Sequence, residues 1–338
     1  YYNVAVGSNS LESNTTGHSN VAIGINALLV SNGSQNVAVG GFALDANTTA
    51  ANNVAIGYNA LTANTTGAQN IAVGQGAMAS NTTGTDNCAY GHAAMGSATN
   101  TGSGRNNAFG YEALQDLTTG TQNQAMGFQA GANLTTGSYN QIMGAEAMEN
   151  STTASNNVAI GHDALRQCQG NTNVAIGFQA LTANTTAGSN TAIGYGALDA
   201  NTTTENLTAV GKNALGANTS GTNGVAVGKD ALEANTTGHN NVAVGLEALQ
   251  TNTGGSGNTA VGTGSLALNT ASDNTAVGRA ALGVCSTGTS NVAVGALAGD
   301  ALTTGGYSIA VGHKALTNAT TASSNTAVGY EALLNCST

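Results

Sequence analysis

Residues 53–57 read Asn-Val-Ala-Ile-Gly, and residues 70–74 read Asn-Ile-Ala-Val-Gly. This motif recurs 20 times along the 338 residues. Successive motif glycines are 16 or 17 residues apart, except for one interval of 19 residues between Gly91 and Gly110. Such a period is too short for a pair of helices and too regular for a disordered chain, so it predicts a β-solenoid with one coil per repeat. The coils are numbered 1 to 20 by their motif glycines, which are Gly7, Gly24, Gly40, Gly57, Gly74, Gly91, Gly110, Gly127, Gly144, Gly161, Gly177, Gly194, Gly211, Gly228, Gly245, Gly262, Gly278, Gly295, Gly312 and Gly329.

Two apolar columns precede the motif glycine. The residue directly before it is large and apolar in all 20 coils, and the residue before that is alanine in every coil except coil 9, which has Ile142. Neighbouring side chains of a strand point to opposite faces, so we expect the Val/Ile column to form a core and the alanine face to admit only a methyl group. An Ala-Leu or Ala-Met pair three and four residues after the glycine predicts a second strand. The predicted core column is Val6, Ile23, Val39, Ile56, Val73, Leu61, Leu181 and Leu232.

Two asparagine columns are equally regular, one four residues before the glycine and one seven residues after it. Identical side chains about 4.8 Å apart can form amide ladders along the axis, and asparagine also suits the corners of a coil. The predicted ladders include Asn3, Asn20, Asn36, Asn53, Asn14, Asn47 and Asn64. The sequence thus predicts an all-β fold, one parallel β-solenoid (β-roll) domain over residues 1–338, with a rod length of about 95 Å.

The composition excludes several classes of protein. Proline and tryptophan are absent, charged residues make up 7% of the chain, and the net charge is −10. This charge disfavours a nucleic-acid partner, and no apolar run reaches the ~18 residues that a membrane span needs. We expect the chain to bind no cofactor and to have no enzymatic activity, because the five histidines lie on different coils without a nucleophile or carboxylate at a fixed spacing. Carboxylates that recur two residues after the glycine, such as Glu146 and Asp163, are read as a solvated edge rather than a cation-binding stripe.

A few coils depart from the repeat. Gly131 and Gly299 replace the usual leucine, and in the same coils Leu134 and Leu302 replace the second asparagine. A leucine lost and regained in one coil predicts that both columns face one interior. Three of the four cysteines, at 168, 285 and 336, share the second column but lie too many coils apart for a disulfide within one straight chain, and their spacing fits no zinc site. Residues 101–104 of the 19-residue interval predict a surface loop.

The column directly after the glycine accepts aromatic, basic and small residues, which predicts that it faces outward. Its aromatic members are candidates for contact with a sugar or a protein surface, or for a rim that shields the strand edge. These candidates are Tyr58, Tyr111, Phe128, Phe178, Tyr195 and Tyr330. The Thr-Thr pairs after the second asparagine leave ice binding as a distant alternative.

The Asn-Val-Ala-Val-Gly and Asn-Val-Ala-Ile-Gly strings at 3–7, 20–24 and 53–57 resemble the head repeats of YadA-like trimeric autotransporter adhesins, and similar repeats occur in phage tail fibres. The resemblance implies a left-handed roll, three chains around an axis and adhesion to a host surface. The coil here is longer, with Ala-Leu and Asn-Thr-Thr segments.

These observations favour an extracellular fibre segment, either an adhesin or a tail-fibre shaft, whose partners are copies of itself and a host glycan or matrix protein. We expect the alanine face to pack on neighbouring chains. The alternative is a filament of head-to-tail coils, because joining the two ends of the chain would give an allowed glycine spacing of 16 residues.

Overall fold

The computed structural model describes residues 2–99 and 104–336. It contains two compact units, residues 1–171 and 172–338, and each is a parallel β-solenoid built from three-residue strands. The all-β solenoid with coils of about 17 residues is therefore confirmed. Left-handedness, three-fold association and a single domain stay predictions, and residues 101–103 of the expected loop lie outside the described part of the chain.

Each unit has ten strands, one per coil. The first unit contains β1 (Val4–Val6), β2 (Val21–Ile23), β3 (Val37–Val39), β4 (Val54–Ile56), β5 (Ile71–Val73), β6 (Cys88–Tyr90), β7 (Asn107–Phe109), β8 (Gln124–Met126), β9 (Gln141–Met143) and β10 (Val158–Ile160). The second contains β11 (Val174–Ile176), β12 (Thr191–Ile193), β13 (Thr208–Val210), β14 (Val225–Val227), β15 (Val242–Val244), β16 (Thr259–Val261), β17 (Thr275–Val277), β18 (Val292–Val294), β19 (Ile309–Val311) and β20 (Thr326–Val328).

Within each unit, every strand pairs in parallel with the strand of the next coil, and equivalent residues lie level. In β4 and β5, for example, Ala55 is the partner of Ala72 and Ile56 is the partner of Val73. The ladder continues past the strand, because the Gly74 N–H donates to the Ile56 carbonyl at 2.8 Å. A strand of three residues has one inward and two outward side chains, so the inward residue decides the width of the core.

The predicted position of the Val/Ile column is wrong. The middle residue of every strand from β2 to β20 points inward and is buried, and it is alanine in all of these strands except β9, which has Ile142. By contrast, Val6, Ile23 and Ile56 are 56%, 39% and 40% exposed, and Val39 and Val73 are half-buried; in β1, at the open end of the stack, Ala5 is exposed as well. The structure places the other three members of the predicted core column, Leu61, Leu181 and Leu232, fully inside. The interior of so small a coil holds that leucine and two asparagines, which leaves room only for a methyl group beside the strand.

The second predicted strand is also wrong, because the Ala-Leu segment is a turn. The leucine or methionine of this segment has a φ between 49° and 59° in all 18 coils that carry one. Left-handed backbone is uncommon for a bulky residue and persists only where surrounding structure holds it. At Leu61 two features stabilise this backbone conformation. The side chain is completely buried, and the Leu61 N–H donates to the Ala77 carbonyl of the next coil at 3.0 Å.

Both asparagine columns run along the inside of the coils and differ in their bonding. In the first column the backbone donates: the Asn53 N–H bonds Asn36 Oδ1 at 3.0 Å. In the second column the side chains bond one another, as between Asn81 Nδ2 and Asn64 Oδ1 at 3.1 Å. Asn53 and Asn64 both donate to the Gly67 carbonyl at 2.9 Å, so the two columns close the same corner. The remaining predicted members are placed as follows: Asn20, Asn36 and Asn47 are fully buried, Asn14 is half-buried and Asn3 is exposed.

The coils that exchange leucine for glycine keep a filled interior. Leu134 and Leu302 are buried to 0% and 1% exposure at the position that asparagine occupies in other coils, and Cys168 and Cys285 are fully buried there too. The prediction that both columns face one interior is confirmed.

Candidate interaction surface

The outward face is defined here by the side chains three and one residues before each motif glycine. None of these 40 side chains, two from each of the 20 strands, is charged, although the chain carries a net charge of −10. With coils about 4.8 Å apart and about 3.3 Å per strand residue, the face measures about 48 Å by 10 Å in each unit. An apolar sheet face of this size is normally covered by another element or another chain. Contiguous exposed apolar patches on soluble monomers rarely exceed a few hundred Å².

The alanine face cannot serve as the contact surface between chains. Its methyl groups lie inside the coil, where Ala55, Ala72 and Ala226 are fully buried. The expectation that alanines pack on a neighbour is therefore wrong, and the physical reason is the narrow interior described above. The apolar surface that the coils leave open is the outward Val/Ile face.

Coils 6 to 9 interrupt this face with two rows of different side chains. The amide row is Asn107, Gln124 and Gln141, at positions that hold Val, Ile or Thr in most other coils. The soft row is Tyr90, Phe109, Met126 and Met143. Asn107 Nδ2 donates to Gln124 Oε1 at 2.8 Å, and the Tyr90 and Phe109 rings stack with centroids 4.9 Å apart. Sequence reasoning missed the amide row and counted the soft row among the large residues of the predicted core column, although the clustering of both rows in consecutive coils was visible in the alignment of the repeats.

The six candidate aromatic residues all lie on the outside, with exposures from 41% for Phe178 to 73% for Tyr330. Several of them stack on their neighbours along the axis. Tyr111 lies between His92 and Phe128, with ring centroids 5.1 Å and 5.2 Å away and planes within 10° of parallel. Tyr195 has Phe178 on one side at 5.3 Å and the Lys212 ammonium on the other at 5.6 Å.

The rings inside such a run cover one another's faces, and this limits what they offer to a sugar. A stacked ring presents mainly its edge to solvent, so only a ring at the end of a run has an open face for a sugar ring. The same stacking ties successive coils together, since each aromatic pair contributes about 0.5–1.5 kcal/mol. The geometry thus favours the rim over the sugar platform for Tyr111 and Tyr195.

Replacing Tyr111 by alanine should lower the free energy of unfolding by about 1–2 kcal/mol, because two ring contacts are lost. Gln75→Ala, at the same exposed position of coil 5, should change it by less than about 0.5 kcal/mol. Urea denaturation of both variants measures the difference. Equal effects for the two variants would contradict a stabilising role for the ring stack.

The threonine pairs are engaged along the axis. Thr48 Oγ1 donates to the Thr65 carbonyl at 3.0 Å, and Thr65 Oγ1 donates to the Thr82 carbonyl at 3.1 Å. These hydroxyls thus satisfy carbonyls of the next coil. This leaves the first threonine of each such pair less able to order water, which weakens the argument for ice binding at this column.

The ionisable groups of the described residues include several local pairs. The five histidines are exposed and lie on separate coils. Arg166 Nη2 lies 3.0 Å from Glu146 Oε2 and 2.8 Å from Glu149 Oε2, and Arg166 Nη1 lies 3.4 Å from Asp163 Oδ1. The hydrogen bond to Glu149 raises the pKa of the Arg166 guanidinium. Part of the carboxylate edge is thus neutralised by the chain's own arginine.

The four cysteines are free thiols. Burial raises the pKa of the buried Cys285 thiol, and it raises the pKa of the half-buried Cys88 thiol, which lies on the outward face. Among the described residues, no group of three or more histidine, cysteine or acidic side chains is placed to hold a metal ion.

Comparison with known proteins adds no family. No protein-family model matches the chain, and no curated protein sequence matches it. In residues 2–99 and 104–336, no helix has the length and apolar character needed to cross a membrane. The outward face is therefore the feature from which a function must be argued.

Proposed function

We propose that this chain is a segment of an extracellular fibre in which identical copies associate through the outward face. The observation that carries the proposal is the absence of charge from all 40 outward strand positions in a chain of net charge −10. Charged residues occur on the other exposed edges, for example Lys212 and Lys229 directly after the motif glycine. A neutral, flat and apolar face is complementary to a second copy of itself, as symmetric association requires.

The energy available from such a contact is large in sum and small per residue. Val244 and Val261 are each 36% exposed, so covering one of them contributes about 0.5–1 kcal/mol. The face repeats this contribution in every coil, and its flat area is about 480 Å² in each unit, a substantial part of the ~800 Å² per partner of a standard interface. Association has to offset the loss of translational and rotational freedom, which a contact repeated over many coils achieves.

The resemblance to trimeric adhesin heads favours three copies around an axis parallel to the coil stack, and a role as an adhesive head or a shaft. In this arrangement each outward face turns toward the axis, and the aromatic column remains on the rim. The ends of the aromatic runs would then be the places at which a host glycan or matrix protein makes contact. An external location follows from the same resemblance.

Lysines at Val244 and Val261 should dissociate the oligomer, because two like charges per copy would be buried without partners. The matched control places lysines at Leu246 and Thr263, two residues further along in the same coils, where Lys212 and Lys229 occur naturally in other coils. Light scattering should give a trimer mass for the wild type and for the control, and a monomer mass for V244K/V261K.

Electron microscopy of the wild-type chain separates the alternatives. Discrete particles of three-fold symmetry would support the proposal, whereas open polymers that grow along the coil axis would support the head-to-tail filament instead. A wild-type chain that stays monomeric at high concentration would contradict both.

A further inference from the structure

The outward face is monotonous except in one place. Sixteen of the 20 strands carry only Val, Ile or Thr at their two outward positions. All the other residue types fall in four consecutive coils, 6 to 9. They are Cys88, Tyr90, Asn107, Phe109, Gln124, Met126, Gln141 and Met143. Fibre formation through a uniform apolar face does not call for this segment, and it raises the question of what the segment recognises.

The amide row is the part with the most demanding chemistry. Asn107 and Gln124 are half-buried and already bonded to each other, while Gln141 is exposed. Each primary amide has two donor hydrogens and an acceptor oxygen, so one bond within the row leaves further capacity on Gln124. When an apolar partner covers the face, the amides lose their hydrogen bonds to water and gain none from the partner. Leaving these buried donors and acceptors unsatisfied costs free energy. A partner that brings amides to the same level restores the bonds.

We propose that the amide row is a homotypic recognition element, by which one copy of this chain selects another copy aligned at coils 7 to 9. The occupant of the row is the amide row of the second copy. This inference rests on the proposed association through the outward face. In a cyclic assembly around an axis parallel to the coils, every residue lies level with its own copies, so Gln124 faces Gln124 and Gln141 faces Gln141.

Pairing of this kind gives specificity more than affinity. A chain with valines throughout would offer the same apolar face but no amides, and contact with it would leave the row unpaired. A single buried polar layer acts in the same way in coiled coils, where it fixes register and partner at a cost in stability. The soft row beside it, with its flexible methionines, can adapt to close packing around the amides.

The test is a mixing experiment with the full chain. The variant N107V/Q124V/Q141V gives coils 7 to 9 the residue found in most other coils. The matched control T191V/T208V/T259V makes three substitutions in the same column of the second unit. Each is unfolded and refolded together with tagged wild-type chain, and native mass spectrometry counts the mixed oligomers. Random mixing of two chains in a trimer gives about three quarters mixed species.

We expect the control to mix at random with the wild type, and the amide variant to form its own trimers but at least about five-fold fewer mixed ones. The variant Q124N/Q141N keeps the amides and should mix nearly as well as the control. Should the triple variant fail to refold, Q141V alone, at an exposed position, gives the same readout.

The outcomes separate the two proposals. Random mixing of the amide variant would overturn homotypic recognition, assign the row to another occupant and leave association through the outward face intact. A monomeric wild-type chain would overturn both. Depletion of mixed species with the amide variant and not with the control supports the recognition element.

Discussion

Gly74→Ala is expected to lower the free energy of unfolding by about 3 kcal/mol or more, which is in the range of the most damaging single substitutions. Gly74 has a φ of +137°, which L-residues rarely adopt, and a methyl group there would lie 2.3 Å from the Gly91 carbonyl oxygen of the next coil. That carbonyl is held in place, because it accepts a hydrogen bond from the Ala94 N–H at 3.3 Å, and the Gly91 N–H on the other side of the residue donates to the Val73 carbonyl at 2.8 Å. The substitution therefore combines backbone strain with a clash against backbone.

The control lies two residues away in the same coil. Gly76 has a φ of +66°, and a methyl group there would meet nothing within 4 Å. The equivalent residue of coil 6 is Ala93, at a φ of 52°, so Gly76→Ala should cost only about 1–2 kcal/mol. Denaturation midpoints give the global effect. Because coils of a solenoid can open locally, hydrogen exchange of residues 71–91 should also rise for Gly74→Ala and much less for Gly76→Ala.

Equal destabilisation by the two variants would show that neither the φ of +137° nor the close approach of the next coil adds to the ordinary cost of an alanine in left-handed backbone. The 20 motif glycines have φ values between 128° and 143°. The sequence therefore shows the requirement as an unbroken column, but it cannot show which of the two causes dominates.

The period and the solenoid could be predicted from the sequence because every coil repeats the same constraints. The orientation of the strand could not. Both of its faces look apolar, valine or isoleucine on one side and alanine on the other, so the alternation of hydrophobic and polar residues that normally identifies the inside is missing. The volume of the interior determines which face of the strand points inward. The interior already holds Leu61, Asn53 and Asn64, and only a methyl group fits beside them.

The turn at Leu61 could not be predicted for a related reason. Leucine does not favour a φ of +51°, so no turn signal is present in its residue type. The outward column of aromatic residues was predictable, because tolerance of many residue types indicates exposure. The amide row was not singled out, since the expectation of an inward Val/Ile column hid the fact that coils 6 to 9 change the residues on the surface.

One irregularity of the sequence acquires a cause in the structure. Ile142 is the only residue other than alanine in the inward strand column, and it lies one coil after Gly131, which lacks the usual leucine. A methyl group on Gly131 would lie 2.8 Å from Ile142 Cδ1 and 3.0 Å from Leu114 Cδ2. Side chains from both neighbouring coils thus fill the space of the missing leucine, and Leu134 fills the rest from the second column.

This exchange can be tested in an ordinary coil. Leu61→Gly should lower the free energy of unfolding by about 2–4 kcal/mol, because a fully buried side chain is lost, partly offset by the relief of left-handed backbone. Asn64→Leu should cost a similar amount, about 2–4 kcal/mol, because it breaks the bonds to Asn81 and to the Gly67 carbonyl and overfills the interior. The exposed Leu268→Gly serves as the control and should cost less than about 1 kcal/mol.

The double variant L61G/N64L reproduces the pattern of Gly131 with Leu134 and of Gly299 with Leu302. Since the new leucine enters the space that the old one leaves, we expect the double variant to be more stable than the sum of the single effects predicts, by about 2 kcal/mol. A double-mutant cycle by urea denaturation measures this coupling. Simple additivity would mean that the natural pairs depend on their neighbours, on Ile142 and Leu114 around coil 8. In that case the two columns would not exchange one leucine within a single coil.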